Sequence, residues 1–228
     1  MKCIYAFMMT IGFLFCLQSA HAQQNLFNIP SGEITREGKF FYQHQLNIYN
    51  RFLESKSHLV YGLGSGWDAG LNFVGTGLVY PPNFEFIHND DSSKGALYPY
   101  LTPTIQKQFF ITDFFDFNMG SQAGFNLTDR GKDSRFGFFN YAVGVFYFFD
   151  KKSRIVAGAY HTNNQYAGPG NNFGIVAGYE LKITDYFYLM GDWISGNNES
   201  SSAILGGMIN VTNRLQLCAG WLQPNPGS

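Results

Sequence analysis

Cysteine is nearly missing from this chain: Cys3 and Cys16 fall within the first 22 residues, and Cys218 is alone after them. A secreted product cut behind residue 22 therefore has no internal disulfide to form. His44, His58 and His88 are dispersed, with no spacing suited to a metal. Charge is scarce as well. Asp, Glu, Lys and Arg make up 14% of the chain at a net charge of −1, and nothing in that balance suits a nucleic acid. Beyond residue 22 no stretch approaches 18 consecutive apolar residues, which excludes membrane helices.

What is present is aromatic and glycine-rich: 18% Phe, Trp and Tyr, with 26 glycines. Residues 1–22 carry Lys2, an apolar run from Ile4 to Leu17 and the small-x-small end Ala20-His21-Ala22. This is the pattern of a secretory signal peptide cut before Gln23. Past it, the stretch Tyr98 to Asn126 sets the theme. Leu101, Ile105 and Phe109 alternate with Thr102, Thr104, Gln106 and Gln108. Across a turn at Thr112-Asp113, Phe115, Phe117, Met119, Ala123 and Phe125 alternate with Asp116, Asn118, Gln122 and Asn126. A period of two with one apolar face predicts paired strands. Repeated down the chain, the unit predicts an all-β fold, an antiparallel transmembrane β-barrel, apolar outside and polar within.

Residues 23–33 (QQNLFNIPSGE) read as an aperiodic periplasmic lead-in, and 34–228 as one barrel domain. The first strand is expected from Ile34 to Leu53, with a turn at Glu54 to Lys56. The second is expected from His58 to Leu63, and the third begins at Trp67 after the Gly64-Ser65-Gly66 turn. A polar surface loop is expected from Thr76 to Gly95. Eight more strands follow, with long polar loops at Thr128–Arg135, Asn163–Asn172 and Gly196–Ser201. Tight turns lie at Asp150–Lys152, Thr184-Asp185 and Thr212-Asn213, the last leading into a strand from Arg214 to Leu222. Short turns are periplasmic and long loops external in outer-membrane barrels, which orients the chain. Eleven strands are visible, an odd number. Either a twelfth strand is missing at the C-terminal side, or strand one or two is miscounted and the barrel has ten. An open seam would leave unpaired backbone in lipid at several kcal/mol for each group.

The polar faces collect the candidate lumen residues Gln43, Gln45, Asn47, Arg51, Asp68, Asn72, Gln106, Gln108, Asp116, Asn118, Gln122, Glu180, Lys182, Asp192 and Arg214. Amides dominate and the charges are mixed. Strong ion selectivity requires one sign to prevail at a constriction, and neither sign prevails in this set. Phe114, Phe138, Phe146 and Phe148 are expected to point inward and line a path for an apolar solute. Gly120, Gly124, Gly144, Gly174 and Gly178 are expected to leave room for it. The other aromatics near turns suit an interfacial girdle.

Two stretches carry resemblances. His58 to Phe73 (HLVYGLGSGWDAGLNF), with Gln43 to Asn47, resembles the early hairpin of outer-membrane barrels related to the phenol meta-pathway transporter family. The Thr-Asp turns extend the likeness from Ile34 to Leu222. The resemblance implies a secreted barrel of about twelve strands that passes small hydrophobic or aromatic compounds. Ala159 to Asn172 (AYHTNNQYAGPGNN) resembles the segment of outer-membrane lipid A deacylases in which a His lies two residues before a nucleophilic Ser. Here Asn163 follows His161 at that spacing, and an amide cannot serve as nucleophile. The expectation is a non-enzymatic outer-membrane barrel, needing no cofactor or metal, with lipid and small solutes as partners and restricted passive transport as its function. A plugged barrel acting through its surface loops is the alternative, and a lipid-modifying hydrolase the third reading.

Overall fold

The computed structural model describes residues 24–48, 52–79, 85–87, 99–127 and 136–228, the side chains of residues 52, 76–79 and 85–87 excepted. The expected signal peptide and the Thr128–Arg135 loop lie outside them, as does Arg51. The described chain is one antiparallel sheet built from β1 (Phe40–Ile48), β2 (Phe52–Gly64), β3 (Trp67–Val79), β4 (Glu85–Ile87), β5 (Tyr100–Thr112), β6 (Phe115–Asn126), β7 (Phe136–Phe148), β8 (Ser153–Thr162), β9 (Phe173–Lys182), β10 (Phe187–Ile194), β11 (Ser202–Asn210) and β12 (Gln216–Pro224). Each long strand pairs with the next, and three-residue β4 pairs only with β3. The one described helix, α1 (Asn164–Ala167), is a single turn. β1 and β12 are the edges; no pairing joins them, and a cleft of about 1210 Å³ lies between them.

The alternation read from sequence holds through the central strands. Thr102, Gln106, Gln108, Asp116, Asn118 and Asn126 are buried, whereas Ile105, Phe109, Met119 and Phe125 are exposed. The first hairpin departs from expectation. Glu54 to Lys56 lies inside β2, which begins at Phe52 after β1 ends at Ile48. The polar Glu54-Ser55-Lys56 run pairs without interruption against β1, and the register shift at Ser55/Lys56 against β3 leaves Gly75, at φ 77°, as the unpaired residue of a bulge. The expected surface loop from Thr76 is strand as far as Val79 and holds β4 further on.

The lead-in does not stand apart from the sheet. Residues 24–31 form a small turn, with Leu26 N–H donating to the Ile29 carbonyl and Ser31 N–H to the Gln24 carbonyl, both at 3.0 Å. This turn packs against the inner face. Gln45 Nε2 on β1 donates to Asn28 Oδ1 at 3.0 Å, while a side chain at Gly220 on β12 would meet the Phe27 ring at 3.0 Å. One short segment thus reaches both edge strands, so the sheet curls around it. Leu26, Phe27 and Ile29 join Val156, Val176, Met190, Ile194, Ile204 and Met208 in an apolar core. Full burial of an aliphatic side chain is worth roughly 1.5–3 kcal/mol.

Glycine makes the fit. A Cβ on Gly178 would lie 2.6 Å from Leu26 Cδ1 and 2.8 Å from Ile29 Cδ1, so that position houses the plug rather than a solute. Gly120 and Gly174 accommodate the Tyr141 and Tyr160 rings in the same way, while a Cβ on Gly144 would meet Phe115 and Phe146 on the outer face. Overpacking a filled interior costs about 1–3 kcal/mol. Gly178→Leu is therefore expected to loosen residues 24–31 and lower the unfolding temperature of the detergent-folded chain. An unchanged melting profile by circular dichroism would show that the turn is not packed there.

Candidate functional site

The site is the interior itself, where a buried segment meets buried charges. Three carboxylates fasten residues 24–36 to the wall. Asp192 Oδ2 on β10 accepts from Phe27, Asn28 and Ile29 N–H at 2.9, 2.6 and 3.1 Å. Consecutive N–H groups converging on one anion give the charge a local substitute for water. Asp68 Oδ2 on β3 accepts from Gln24 Nε2 at 2.8 Å and from Thr35 N–H at 2.9 Å. Glu33 itself pairs with Arg154 of β8 at 2.7 Å, and Arg154 also bonds Glu180 of β9 at 2.7 Å. Gln106 Nε2 and Asn118 Nδ2 donate to the Glu33 and Gly32 carbonyls, each at 2.7 Å.

Beside the plug lies a cavity of about 430 Å³, walled by β1 to β3, β5 to β7, and the connection before β11. Gln43, Gln45, Asn47, Asp68, Asn72, Gln106 and Gln122, all expected in a lumen from sequence, line it together. Glu54, Lys56, His58, Tyr141 and Tyr166 join them. Asn72 Nδ2 donates to Gln122 Oε1 at 2.5 Å, and Gln122 Nε2 donates to the Tyr166 hydroxyl at 2.8 Å. Glu54 Oε2 accepts from Asn47 Nδ2 at 2.7 Å and lies 3.4 Å from Lys56 Nζ. Tyr141 donates to Gln106 Oε1. Burial pushes the Tyr166 phenol well above its ordinary pKa, with the Glu54 carboxylate adding to the effect. Tyr166 is therefore a neutral hydroxyl here.

Several expected residues lie elsewhere. Gln108, Asp116 and Asn118 face inward on the plug's side of the interior, Gln108 donating to Asp116 at 2.8 Å. Arg214 is exposed in the β11–β12 turn, because β12 begins two residues later. Lys182 ends β9 at the rim, where it bonds Asp185 at 2.6 Å. Glu33 and Glu54, placed by sequence in a lead-in and a turn, enter the interior instead. Among described inward residues, Glu33, Glu54, Asp68, Asp116, Glu180 and Asp192 accompany the cations Arg154 and Lys56, with Glu33 and Glu180 paired to Arg154 and Glu54 to Lys56.

The aromatic lining needs the same correction. Phe114 and Phe146 are exposed, and Phe138 and Phe148 share the outer-face parity of Phe136 and Phe146 in β7. The inward series is Phe139, Tyr141, Val143, Val145 and Tyr147, since alternation is counted from buried Phe139. His161 is outward and exposed, its ring edge-on to Phe138 at 5.1 Å. Asn163 is the α1 cap, accepting from Tyr166 and Phe138 N–H at 3.2 Å each. Among the described residues no cluster of His, Cys, Asp and Glu suits a metal ion. No protein-family model, curated protein or solved structure matches this chain.

A charged acceptor is worth about 1.5–3 kcal/mol per hydrogen bond. Asp192→Asn keeps an oxygen but removes the charge, and is expected to raise amide exchange at residues 27–29 roughly tenfold while β10 stays protected. Exchange measured by mass spectrometry decides this; uniform loosening of the whole sheet would mean that Asp192 does not act through the plug.

Proposed function

We propose that this chain is an outer-membrane β-barrel giving restricted passage to small solutes, with residues 24–36 as its internal plug. The observation that carries the reading is the inversion of the sheet. Its outer side presents Leu46, Leu71, Ile105, Phe125, Ile155, Leu205 and Trp221 to the surroundings, and its inner side buries Asp68, Gln106, Asn118, Arg154, Glu180 and Asp192. Contiguous exposed apolar surface of this extent is rare on a monomer in water, whereas a lipid-facing barrel requires it. The expected signal peptide supports delivery to that membrane. The tight connections β2–β3, β5–β6, β7–β8, β9–β10 and β11–β12 share one end, which on the short-turn rule is the periplasmic end.

Polar walls favour small hydrophilic solutes over the aromatic ones implied by the resemblance to phenol meta-pathway transporters. The plug supports a second reading, a sealed barrel that acts through its long external connections. It is fastened at Asp192, Asp68 and Arg154, and a lumen closed this firmly conducts little unless the segment shifts.

Planar-bilayer recording separates the two. The native chain is expected to give rare, small openings, and Asp192→Asn or Glu33→Gln to lengthen them several-fold by releasing the plug. Silence from all three proteins, each folded as judged by heat-modifiable migration, would overturn passage and leave the sealed barrel.

A further inference from the structure

The cavity beside the plug has polar atoms without partners. Gln43 Oε1, Asn72 Oδ1 and both ring nitrogens of His58 are buried and have no hydrogen-bond partner within the chain. All three residues line the cavity. Asn72 is only 8% exposed, and its amide nitrogen is committed to Gln122, which leaves its oxygen as the unused end. A buried acceptor left unmade costs about 1–3 kcal/mol, so two in one cavity wall mark a place built for a donor.

Charge sharpens the choice of donor. Asp68, Glu54 and Glu199 supply carboxylates to the same wall, against Lys56 as the one cavity cation among the described residues. Lys56 Nζ stands 3.4 Å from Glu54 Oε2 and is 27% exposed, a loose neighbour rather than a bidentate clamp. Tyr141, Tyr166 and Phe139 add ring faces, which attract cations by their quadrupole. An anion would meet three carboxylates and two unpartnered amide oxygens.

From this geometry we infer that the cavity binds a small polar cation rich in N–H donors, a protonated amine of about sugar size, between Asn72, Gln43 and Glu54. A volume of about 430 Å³ lies within the range of small-molecule sites and exceeds what one six-carbon amine needs. The ammonium competes with Lys56 for Glu54, and donors at the other end of the molecule take the Asn72 and Gln43 oxygens, which lie level with His58, four residues along β2 from Glu54. The inference rests on reading the curled sheet as the wall of a lumen, yet it concerns occupancy rather than passage.

The test uses the whole chain folded in detergent micelles and isothermal titration with four probes at one pH near 6.5. Glucosamine and putrescine are the cations, glucose the neutral isostere and glucuronate the anion. At least one cationic probe is expected to bind saturably and at least fivefold more tightly than glucose, with glucuronate weakest. Glu54→Gln is expected to weaken that binding roughly three- to tenfold, and Lys56→Gln to tighten it by a similar factor, as fits one screened charge. Opposite signs from neighbouring substitutions are not what a general loss of structure produces. Equal binding of glucose or glucuronate overturns the inference, as does silence from both cations in a protein that still shows heat-modifiable migration. Because no conductance is read, a barrel that never conducts can still bind, and one that conducts can fail to bind.

Discussion

The ion pair on which the interior depends is Arg154 between Glu33 and Glu180. A guanidinium removed from water costs several kcal/mol unless carboxylates and hydrogen bonds replace the hydration it loses. Glu180 comes from the neighbouring strand, but Glu33 comes from the segment inside the sheet, so the charge on β8 has both carboxylates beside it only when that segment is in place. Wall and plug are each other's solvation. The apolar contacts of Leu26, Phe27 and Ile29 with β8 to β11 add energy on the same side of the interior.

This arrangement divides the inside into two unlike halves. From β7 to β11 the wall presents Val, Met and Tyr side chains and is filled by the plug. From β1 to β6 it presents amides and carboxylates, which line much of the cavity and also hold the plug at Asp68, Gln106 and Asn118. A hydrophobic contact has no direction, whereas the carboxylates that receive backbone N–H groups fix where the segment stops. Position comes from the polar bonds, and most of the packing energy comes from the aliphatic contacts.

Much of the sheet was legible because side-chain period is local. Asp116, Asn118 and Gln122 could be placed on one face by counting in twos, and the structure keeps them inward. Counting failed where local pattern competes with pairing. Glu54-Ser55-Lys56 looks like a turn, yet cross-strand bonds to β1 and β3 hold it as strand. In β7 the amide Asn140 sits on the outer face, where it accepts from Ser121 Oγ, so counting inward from this polar residue exchanges Phe138 and Phe139 between faces. Arg154 followed by Val156, Gly158 and Tyr160 did carry the inward parity. Its partner Glu33 lies 121 positions away, a contact that no window along the chain contains. The plug was hidden for the same reason, since QQNLFNIPSGE has no period and acquires its shape only from the wall.

Direction along the sheet has a consequence of its own. Eleven long strands alternate up and down, so the first and last point the same way. A seam made by joining β1 directly to β12 would be a parallel ladder in an otherwise antiparallel wall, with slanted bonds and slightly weaker pairing per residue. Two copies related by rotation about an axis along the strands inherit the same mismatch, because such a rotation reverses no strand. Handedness of travel, more than distance across the cleft, therefore governs the seam: a ladder that stays antiparallel throughout must have an odd number of strands between these edges.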